Sequence, residues 1–517
     1  MYCLKSKCNT IIACLCLFVL LSSLAGAKTP YRSLREFLAV GNSADMCYIN
    51  PAGKATLVKD IQKMPPSPEL INRLKQEGML GKFLEQLSTS QKVVSSEGIA
   101  INHIPGKMPI QSKDGLTISA VTGTQKAIVI FVDFSDKTSQ TVAASFSTLL
   151  FGAGSSLTNY YDAVSYSKLS VTGQVAGWFR APKTYAYYCY GQYGTDGAYP
   201  HNAQRLVENA VDLANPTVNF AQYDVDGDSY VDALFVVHAG PGAEYTGSAN
   251  DIWSHAWGIN TKNVDGVKVS AYSMEPEYWV TPGDMTIGVY CHELGHVFGL
   301  PDLYDTDYTS EGLGNWSLMA AGSWNGNDGD QPAFLDAWCR VYLGWVTPST
   351  LRKDITAVNI PAAETTAIVY KLWSQGTAVN EYFLVENRQK YSYDRGLPGA
   401  GLCIYHVDDG QSTNDNEWYP GTASTGHYWV ALEQADGKYA METVVNNRGD
   451  AGDPYPGTSL KYSFNSTTTP NSKSYSGANV QVEVINISSS AMNMTADMKI
   501  GVSTVPVELS GFDADDH

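Results

Sequence analysis

The chain has 517 residues, of which 44% are hydrophobic and 17% charged, a composition typical of globular proteins and not of disordered or fibrous ones. This length exceeds that of an ordinary domain, so we expect two or three folded units. The formal net charge of −18 argues against nucleic acid and anionic lipid as partners, because both bind basic surfaces.

Residues 1–27 have the pattern of a signal peptide. A short basic region precedes an apolar run at residues 11–21, and Ala25-Gly26-Ala27 offers a small-residue cleavage site. Cys14 resembles a lipoprotein site loosely, but no apolar segment precedes it. The run is too short to span a bilayer, and no later stretch reaches about 18 apolar residues. We therefore predict an exported protein without stable membrane insertion.

The cysteines that remain after residue 27 do not form a framework; they are Cys47, Cys189, Cys291, Cys339 and Cys403. They are scattered and contain no CxxC pair, which excludes a thiolate zinc site and a dense disulfide scaffold. Their odd number predicts that at least one stays free or has a special role.

Residues 28–115 differ from the rest, with a Pro-rich turn at residues 65–68 and a polar helical stretch after it. Residues 116–348 have a mixed pattern that predicts a three-layer or two-layer α/β domain. Its predicted elements are buried strands at Lys126–Asp133 and Val231–His238 and helices at His201–Asn215 and Thr281–Phe298.

Residues 349–500 alternate in short apolar runs separated by Gly, Asn, Asp and Pro, which predicts an antiparallel β-sandwich. The predicted strands are Ala367–Trp373, Tyr382–Glu386, Gly401–Val407, His427–Glu433 and Val480–Ile487. Residues 501–517 form an acidic tail.

The helix predicted at Thr281–Phe298 carries the pattern HExxH. His292 and His296 are four residues apart, so both imidazoles project from one face of the helix, as two ligands of one zinc ion must. Glu293 is offset beside them, where it can take a proton from an attacking water and pass it to the leaving amine. Alone, this pattern also fits an ordinary surface helix.

The residues after the helix extend the pattern to HExxHxxGxxD. Gly299 can adopt the left-handed conformation that ends a helix, and Asp302 then lies where a third zinc ligand is needed. Met319, in Ser317-Leu-Met-Ala320, fits the tight turn beneath such sites. The combination predicts one catalytic zinc ion, protein or peptide substrates and a monomeric enzyme.

In these and several other stretches, the chain resembles the immune-inhibitor-A family of secreted bacterial metalloproteases. The matching stretches are Tyr160–Tyr166, Phe235–Gly240, Cys291–Asp305, Gly314–Ala320, Glu381–Asn387 and Arg448–Asp453. The resemblance covers about residues 120–500. It implies a metzincin-like catalytic domain, zinc on the two histidines and the aspartate, Glu293 as general base, structural calcium, and synthesis as a zymogen.

A second acidic pattern predicts a structural calcium site; its candidate ligands are Asp224, Asp226, Asp228, Tyr230 and Asp232. Carboxylates at alternate positions of a loop suit a cation with six or more oxygen ligands. Ser229 replaces the invariant glycine of an EF-hand, so a solvated acidic turn is the alternative. Asp450 and Asp453 form a weaker candidate pair.

Residues 28–115 are predicted to be an inhibitory propeptide, in which Cys47 could block the zinc as a thiolate. The alternatives are an incidental buried cysteine, a blocking carboxylate such as Asp45, or blockage by bulk alone.

Two other functions compete with protease activity: an exported binding protein with a relic protease domain, and a deformylase-like zinc amidase. The intact Glu293 argues against the relic, and Asp302 with Met319 favours protein substrates over the amidase.

Overall fold

The computed structural model describes residues 47–49, 55–57, 61–94, 109–112, 115–118 and 120–501, except for residues 378, 423–425 and 445. Side chains are described for residues 61–88 and from residue 120 onward, with the same exceptions. The predicted signal peptide, the side chain of Cys47 and residues 502–517 of the predicted tail lie outside this part. The described residues belong to one compact unit. Within them, no helix has the length and apolar character needed to cross a membrane.

The strands of this part, in chain order, are β1 (Cys47–Ile49), β2 (Ala55–Leu57), β3 (Gln62–Lys63), β4 (Pro109–Ser112), β5 (Gly115–Ile118), β6 (Gly123–Asp133), β7 (Leu169–Arg180), β8 (Ala233–Pro241), β9 (His255–Val264), β10 (Val267–Tyr278), β11 (Ser349–Thr350), β12 (Ile355–Pro361), β13 (Tyr370–Leu372), β14 (Glu381–Arg388), β15 (Gly401–Asp408), β16 (Val430–Leu432), β17 (Glu483–Ile485) and β18 (Asn493–Lys499).

The α-helices are α1 (Pro68–Gln76), α2 (Leu80–Val94), α3 (Ala143–Phe151), α4 (Leu157–Val164), α5 (Tyr185–Cys189), α6 (Ala203–Ala214), α7 (Ala243–Thr246), α8 (Gly288–Val297), α9 (Ala337–Tyr342) and α10 (Ala440–Thr443). Short 3-10 helices lie at Phe220–Tyr223, Gly314–Trp316, Ala321–Trp324, Ser374–Gly376 and Ser392–Gly396.

A six-stranded sheet in the order β3-β9-β10-β8-β6-β7 organises the first half of this unit. Strands β10, β8, β6 and β7 run parallel, whereas β9 is antiparallel to β10 and β3 is antiparallel to β9. The short strand β3, which belongs to the predicted propeptide, therefore forms one edge of the sheet. Two small hairpins, β1-β2 and β4-β5, are separate from it.

Strand β6 shows why the sheet is covered on both faces. Ile128, Ile130 and Val132 point into one buried cluster, while Val129 and Phe131 point into another. Helix α6 packs on the first face, and helices α3, α4 and α8 pack on the second. A parallel sheet buried on both faces has a continuous apolar run in each strand, and this is the pattern that predicted the strand. The arrangement is the three-layer form of the expected α/β domain.

The bounds of helix α6 agree with the prediction, whereas the start of helix α8 does not. Helix α6 begins after its cap Asn202 and buries the predicted apolar face. Helix α8, by contrast, begins at Gly288 and not at Thr281. The prediction was wrong because the Asp284 carboxylate accepts hydrogen bonds from the amides of residues 279, 280 and 281, which closes a separate turn.

Two further sheets follow, with the strand orders β11-β13-β14-β15-β16 and β12-β18-β17. All five predicted strands of this region are present with shifted bounds, and β11, β12 and β18 are additional. The pairing is antiparallel except between β11 and β13. Buried side chains of both sheets, such as Phe383, Ile404, Val358 and Met494, share one apolar cluster.

The opposite face of β14 and β15 packs on the first half of the unit. Leu384 and Tyr405 belong to the same buried cluster as helix α8. A continuous core therefore crosses the boundary predicted at residues 348–349. Two fully buried ion pairs lie in the same region: Arg340 of α9 contacts Glu386 of β14, and Arg388 contacts Asp394 at 2.6 Å.

Candidate active site

Helix α8 and the turn after it bring together the three predicted metal ligands. His292 is fully buried and His296 is nearly so. Gly299 has a φ of +85° and its amide donates to the His296 carbonyl oxygen at 2.8 Å, which ends the helix as predicted. The chain then turns back, so that the Asp302 carboxylate faces the two imidazoles.

The ligand atoms converge closely. The Nε2 atoms of His292 and His296 are 3.1 Å apart, and Asp302 Oδ1 lies 3.2 Å and 3.3 Å from them. Asp305, the nearest alternative, is engaged elsewhere, since its carboxylate accepts hydrogen bonds from Ser310 and Thr309. These three side chains could hold a metal ion.

The hydrogen bonds behind the imidazoles determine what faces the centre. His292 Nδ1 donates to the Leu318 carbonyl oxygen and His296 Nδ1 to the Leu300 carbonyl oxygen, each at 2.8 Å. A neutral imidazole with its proton on Nδ1 has a lone pair on Nε2, so two lone pairs and a carboxylate oxygen face one another. Such a set is repulsive without a cation, and it fits a tetrahedral metal with a position left for water.

Electrostatics favour these protonation states. Burial lowers the pKa of His292, although Asp302 acts to raise it. The lowered pKa keeps this imidazole neutral. Burial acts to raise the pKa of Asp302, but the facing imidazoles of His296 and His292 hold it below its usual value. His292 therefore offers a neutral nitrogen and Asp302 an anionic oxygen, as metal binding requires.

The predicted methionine lies directly beneath the helix. Met319 is fully buried, and a Cβ added at Gly295 would come 2.5 Å from its sulfur. The same turn supplies the Leu318 carbonyl oxygen to His292, and Met319 accepts through its own carbonyl oxygen from the Leu303 amide at 2.8 Å. Because residue 295 is glycine, the turn can pack closely against the helix. Its carbonyl oxygens then support the ligand set at His292 and, through Leu303, next to Asp302.

Glu293 is fully buried beside the ligands, and no residue in the described part of the chain donates a hydrogen bond to either of its carboxylate oxygens. Burial raises its pKa well above the usual range, and the carboxylates of Glu275 and Asp302 add to this effect. Glu275 of β10 is also fully buried, and burial raises its pKa well above normal. A carboxyl group with a raised pKa is suited to accepting and then donating a proton.

Residues 61–67 cross this site, which the sequence did not predict. The Asp302 amide donates to Gln62 Oε1 at 3.4 Å, and the Tyr304 hydroxyl donates to the Lys63 carbonyl oxygen at 2.7 Å. Lys63 Nζ in turn lies 2.8 Å from Asp196 Oδ1. These contacts join residues separated by more than a hundred positions, so no local pattern could have indicated them.

The predicted calcium residues come together in part. Carboxylate oxygens of Asp224, Asp226 and Asp232 lie within 4.8 Å of one another. Asp232 is 1% exposed, and burial raises its pKa to about 7 despite hydrogen bonds from the Lys126 and Val225 amides. The Asp228 carboxylate accepts from the Tyr230 amide at 2.8 Å, and neither Asp228 nor Tyr230 belongs to the group of three.

The weaker candidate pair lies against the turn that carries Met319. Asp450 and Asp453 form a third acidic group with Asp436, and Asp453 Oδ2 accepts from the Trp316 indole at 3.2 Å. The Lys438 ammonium lies 2.7 Å from Asp436 Oδ2. Because this side chain already supplies a positive charge, the group does not by itself indicate a metal ion.

Comparison with known families agrees with this geometry. The catalytic-domain model of the immune inhibitor A peptidase M6 family matches residues 145–346. The match begins within α3, includes strands β7 to β10, and ends after α9. It therefore includes the ligand set, Glu293 and the turn with Met319.

Two curated relatives are similar to part of the chain. The pre-pro-metalloprotease PrtV of Vibrio cholerae serotype O1 (strain M66-2) is 36% identical over 216 residues, covering 36% of this chain and 23% of that protein. Immune inhibitor A of Bacillus thuringiensis subsp. alesti is 34% identical over 198 residues, covering 32% and 28%. The alignments thus span about a quarter of the length of these relatives. Residues 145–346, which carry His292, Glu293, His296 and Asp302, therefore match the catalytic domain of the immune inhibitor A peptidase M6 family.

Proposed function

We propose that this protein is an exported zinc metalloendopeptidase in which His292, His296 and Asp302 hold the zinc ion and Glu293 is the general base. The observation that carries this proposal is the convergence of two Nε2 lone pairs and one carboxylate oxygen beside a buried, unpaired glutamate. The two supporting carbonyl oxygens keep both imidazoles in the tautomer that a metal needs.

A zinc ion at these ligands would polarise the peptide carbonyl and lower the pKa of a water bound beside it. The residues of the chain provide the proton transfers. Glu293 accepts a proton from the attacking water on a carboxylate oxygen and later donates it to the leaving nitrogen. Burial keeps bulk water away from this carboxylate. The proton taken up by Glu293 is therefore passed to the leaving nitrogen and is not lost to solvent.

The competing functions fit less well. A relic protease domain in a binding protein has no reason to keep a buried, unpaired glutamate, which destabilises the fold by several kcal/mol when it is charged. A small-molecule amidase does not explain why an extended stretch of chain lies along the sheet edge at the ligand set. We further propose that the catalytic domain is metzincin-like and that the two C-terminal sheets form a β-sandwich.

The proposal is tested by metal analysis and casein cleavage on the same purified protein. We expect about one zinc ion per chain, loss of cleavage on treatment with a chelator, and recovery on adding zinc back. A protein that binds zinc but cleaves neither casein nor unfolded peptides after processing would favour the binding-protein alternative. Cleavage that persists without metal would contradict the zinc mechanism.

We also propose that the protein is made as a zymogen, with residues 1–27 as signal peptide and residues 28–115 as propeptide. The contacts of residues 61–67 with Asp302 and Tyr304 support this proposal, and the name of the relative PrtV includes "pre-pro". A thiolate from Cys47 remains a second way to block the zinc. Cys47→Ser should activate the full chain only if the thiol contributes, whereas blockage by residues 61–67 leaves this variant latent.

A structural calcium ion at Asp224, Asp226 and Asp232 is a separate proposal, with Asp228 and Tyr230 as the less supported members of the predicted set. Asp224 Oδ1 is buried and accepts no hydrogen bond within the described residues. The Asp232 carboxylate also accepts from the amides of Lys126 in β6 and Val225 in the loop. A cation here would neutralise a buried charge at the point where the loop joins the central sheet.

Calcium is therefore expected to raise the melting temperature of the wild-type protein. A ligand at a hundredfold excess over its Kd stabilises the folded state by about 2.7 kcal/mol, which corresponds to several degrees. Asp226→Asn should abolish this response, while the matched control Asp228→Asn should retain most of it. Thermal unfolding with and without calcium measures the effect, and identical melting of wild type under both conditions would reduce the site to an acidic turn.

A further inference from the structure

Residues 61–67 contact the rest of the chain through a series of backbone hydrogen bonds as well as through buried side chains such as Ile61 and Met64. Strand β3 forms the edge of the sheet by pairing antiparallel with β9, with Gln62 opposite Ala256 and Lys63 opposite His255. Addition of an extended segment to a sheet edge is a common way to bind peptides, because main-chain hydrogen bonds form with any sequence.

Four successive carbonyl oxygens of this segment each accept a hydrogen bond from a side chain. The donors are Tyr304 to Lys63 at 2.7 Å, Trp253 to Met64 at 2.7 Å, Trp324 to Pro65 at 2.9 Å and Arg448 to Pro66 at 2.9 Å. The amides of Met64 and Ser67 donate to the carbonyl oxygens of Ser254 and Glu244. The surface thus binds the backbone of an extended peptide over several residues.

One side chain of the segment is recognised individually. Lys63 is 2% exposed, and its ammonium lies 2.8 Å from Asp196 Oδ1. Thr195 Oγ1 donates to the same oxygen at 2.9 Å. Lysine is seldom buried to this extent unless it is paired, so Asp196 is what allows the side chain to enter.

The paired lysine is adjacent to the reaction centre. The residue before it, Gln62, accepts a hydrogen bond from the amide of the ligand Asp302. The Lys63 carbonyl oxygen is held by Tyr304, which is two residues beyond Asp302. A peptide following the same path would therefore place one side chain in the Asp196 pocket and its backbone beside the metal ligands.

We propose that the pocket ending at Asp196 is a subsite for a basic side chain of protein substrates, occupied by Lys63 in the intact chain. The inference rests on the proposed peptidase function and adds a preference for lysine or arginine at one position near the cleaved bond. A neutral side chain in this pocket would leave the Asp196 carboxylate shielded from water without a counter-charge, and an acidic one would add repulsion.

The pocket itself is tested on the full-length protein with Glu293→Gln, so that nothing is cleaved. Hydrogen exchange at the Met64 and Ser67 amides should accelerate at least about tenfold in Lys63→Ala and in Asp196→Asn. Lys63→Arg and Asp196→Glu, which keep the charges, serve as matched controls and should change it less. The double variant Lys63→Ala/Asp196→Asn should exchange no faster than either single variant, because one interaction is removed in all three. Unchanged exchange in Lys63→Ala would overturn the proposal.

A peptide added in trans tests recognition directly. The sequence Ile-Gln-Lys-Met-Pro-Pro-Ser, labelled for fluorescence anisotropy, should bind the Lys63→Ala protein at least about tenfold more tightly than the same peptide with Ala or Glu in place of Lys. This preference should disappear in Lys63→Ala/Asp196→Asn. Equal binding of the three peptides to the Lys63→Ala protein would show that the pocket does not select charge.

Mapping of cleavage sites distinguishes a substrate subsite from a latch that acts only within the chain. Mass spectrometry of digested casein should show lysine or arginine enriched at one fixed position relative to the cleaved bond. Asp196→Asn should remove this enrichment, and Asp196→Lys should shift it towards aspartate and glutamate. Chelator-sensitive cleavage without such enrichment would overturn the subsite and leave the peptidase proposal intact. Absence of any cleavage would contradict the peptidase proposal, while the peptide-binding measurement still decides whether the pocket recognises a basic side chain.

Discussion

Glu293→Gln is expected to lower the rate of peptide hydrolysis by about a hundredfold or more without lowering the zinc content. The substitution keeps the shape of the side chain but removes the oxygen that accepts the proton of the attacking water, and loss of a general base typically has an effect of this size. Because Glu293 is not one of the three convergent ligands, metal binding should persist. Steady-state kinetics on a peptide substrate and metal analysis of the same sample measure both quantities.

Glu275→Gln is the matched control for this prediction. Glu275 is also fully buried near the site, and burial raises its pKa well above the usual range. Glutamine has nearly the same size and shape, and Glu275 is not one of the three convergent ligands, so most activity should remain. If Glu293→Gln turned over at the wild-type rate, or if Glu275→Gln lost as much activity, Glu293 would not be the general base.

Asp302→Ala is expected to reduce zinc affinity by about a hundredfold or more, since it removes one of three protein ligands and the only anionic one. The control is Asp305→Ala, three residues away. The Asp305 carboxylate accepts from the Ser310 amide at 2.7 Å and from the Ser310 and Thr309 hydroxyls. Its loss should lower the melting temperature of the domain and leave zinc bound.

Zinc content after dialysis and the melting temperature separate these two roles. Asp302→Ala should lose zinc, whereas Asp305→Ala should retain zinc and melt lower than wild type. The opposite pattern would mean that the chain leaves helix α8 by a different path and that the third ligand is Asp305.

The candidate site could be predicted from the sequence because its parts are local. His292, Glu293, His296, Gly299 and Asp302 lie within one helix and one turn, so helical spacing and a left-handed glycine are sufficient to bring them together. Two of the buried strands, β6 and β8, could also be predicted, since a sheet covered on both faces requires apolar side chains on each. The same approach misplaced the start of α8, because local spacing does not show that the Asp284 carboxylate closes a separate turn with the amides of residues 279, 280 and 281.

The sequence by itself predicted the candidate metal ligands, the candidate general base and several of the strands and helices, all of which depend on short-range geometry. Only the tertiary structure decided what surrounds them. Lys63 and Asp196 are 133 positions apart, and Trp324 lies 259 positions from the Pro65 carbonyl oxygen it contacts. These pairs meet because β3 joins the sheet edge beside β9, and pairing between distant strands depends on the packing of the whole chain, which no local pattern encodes.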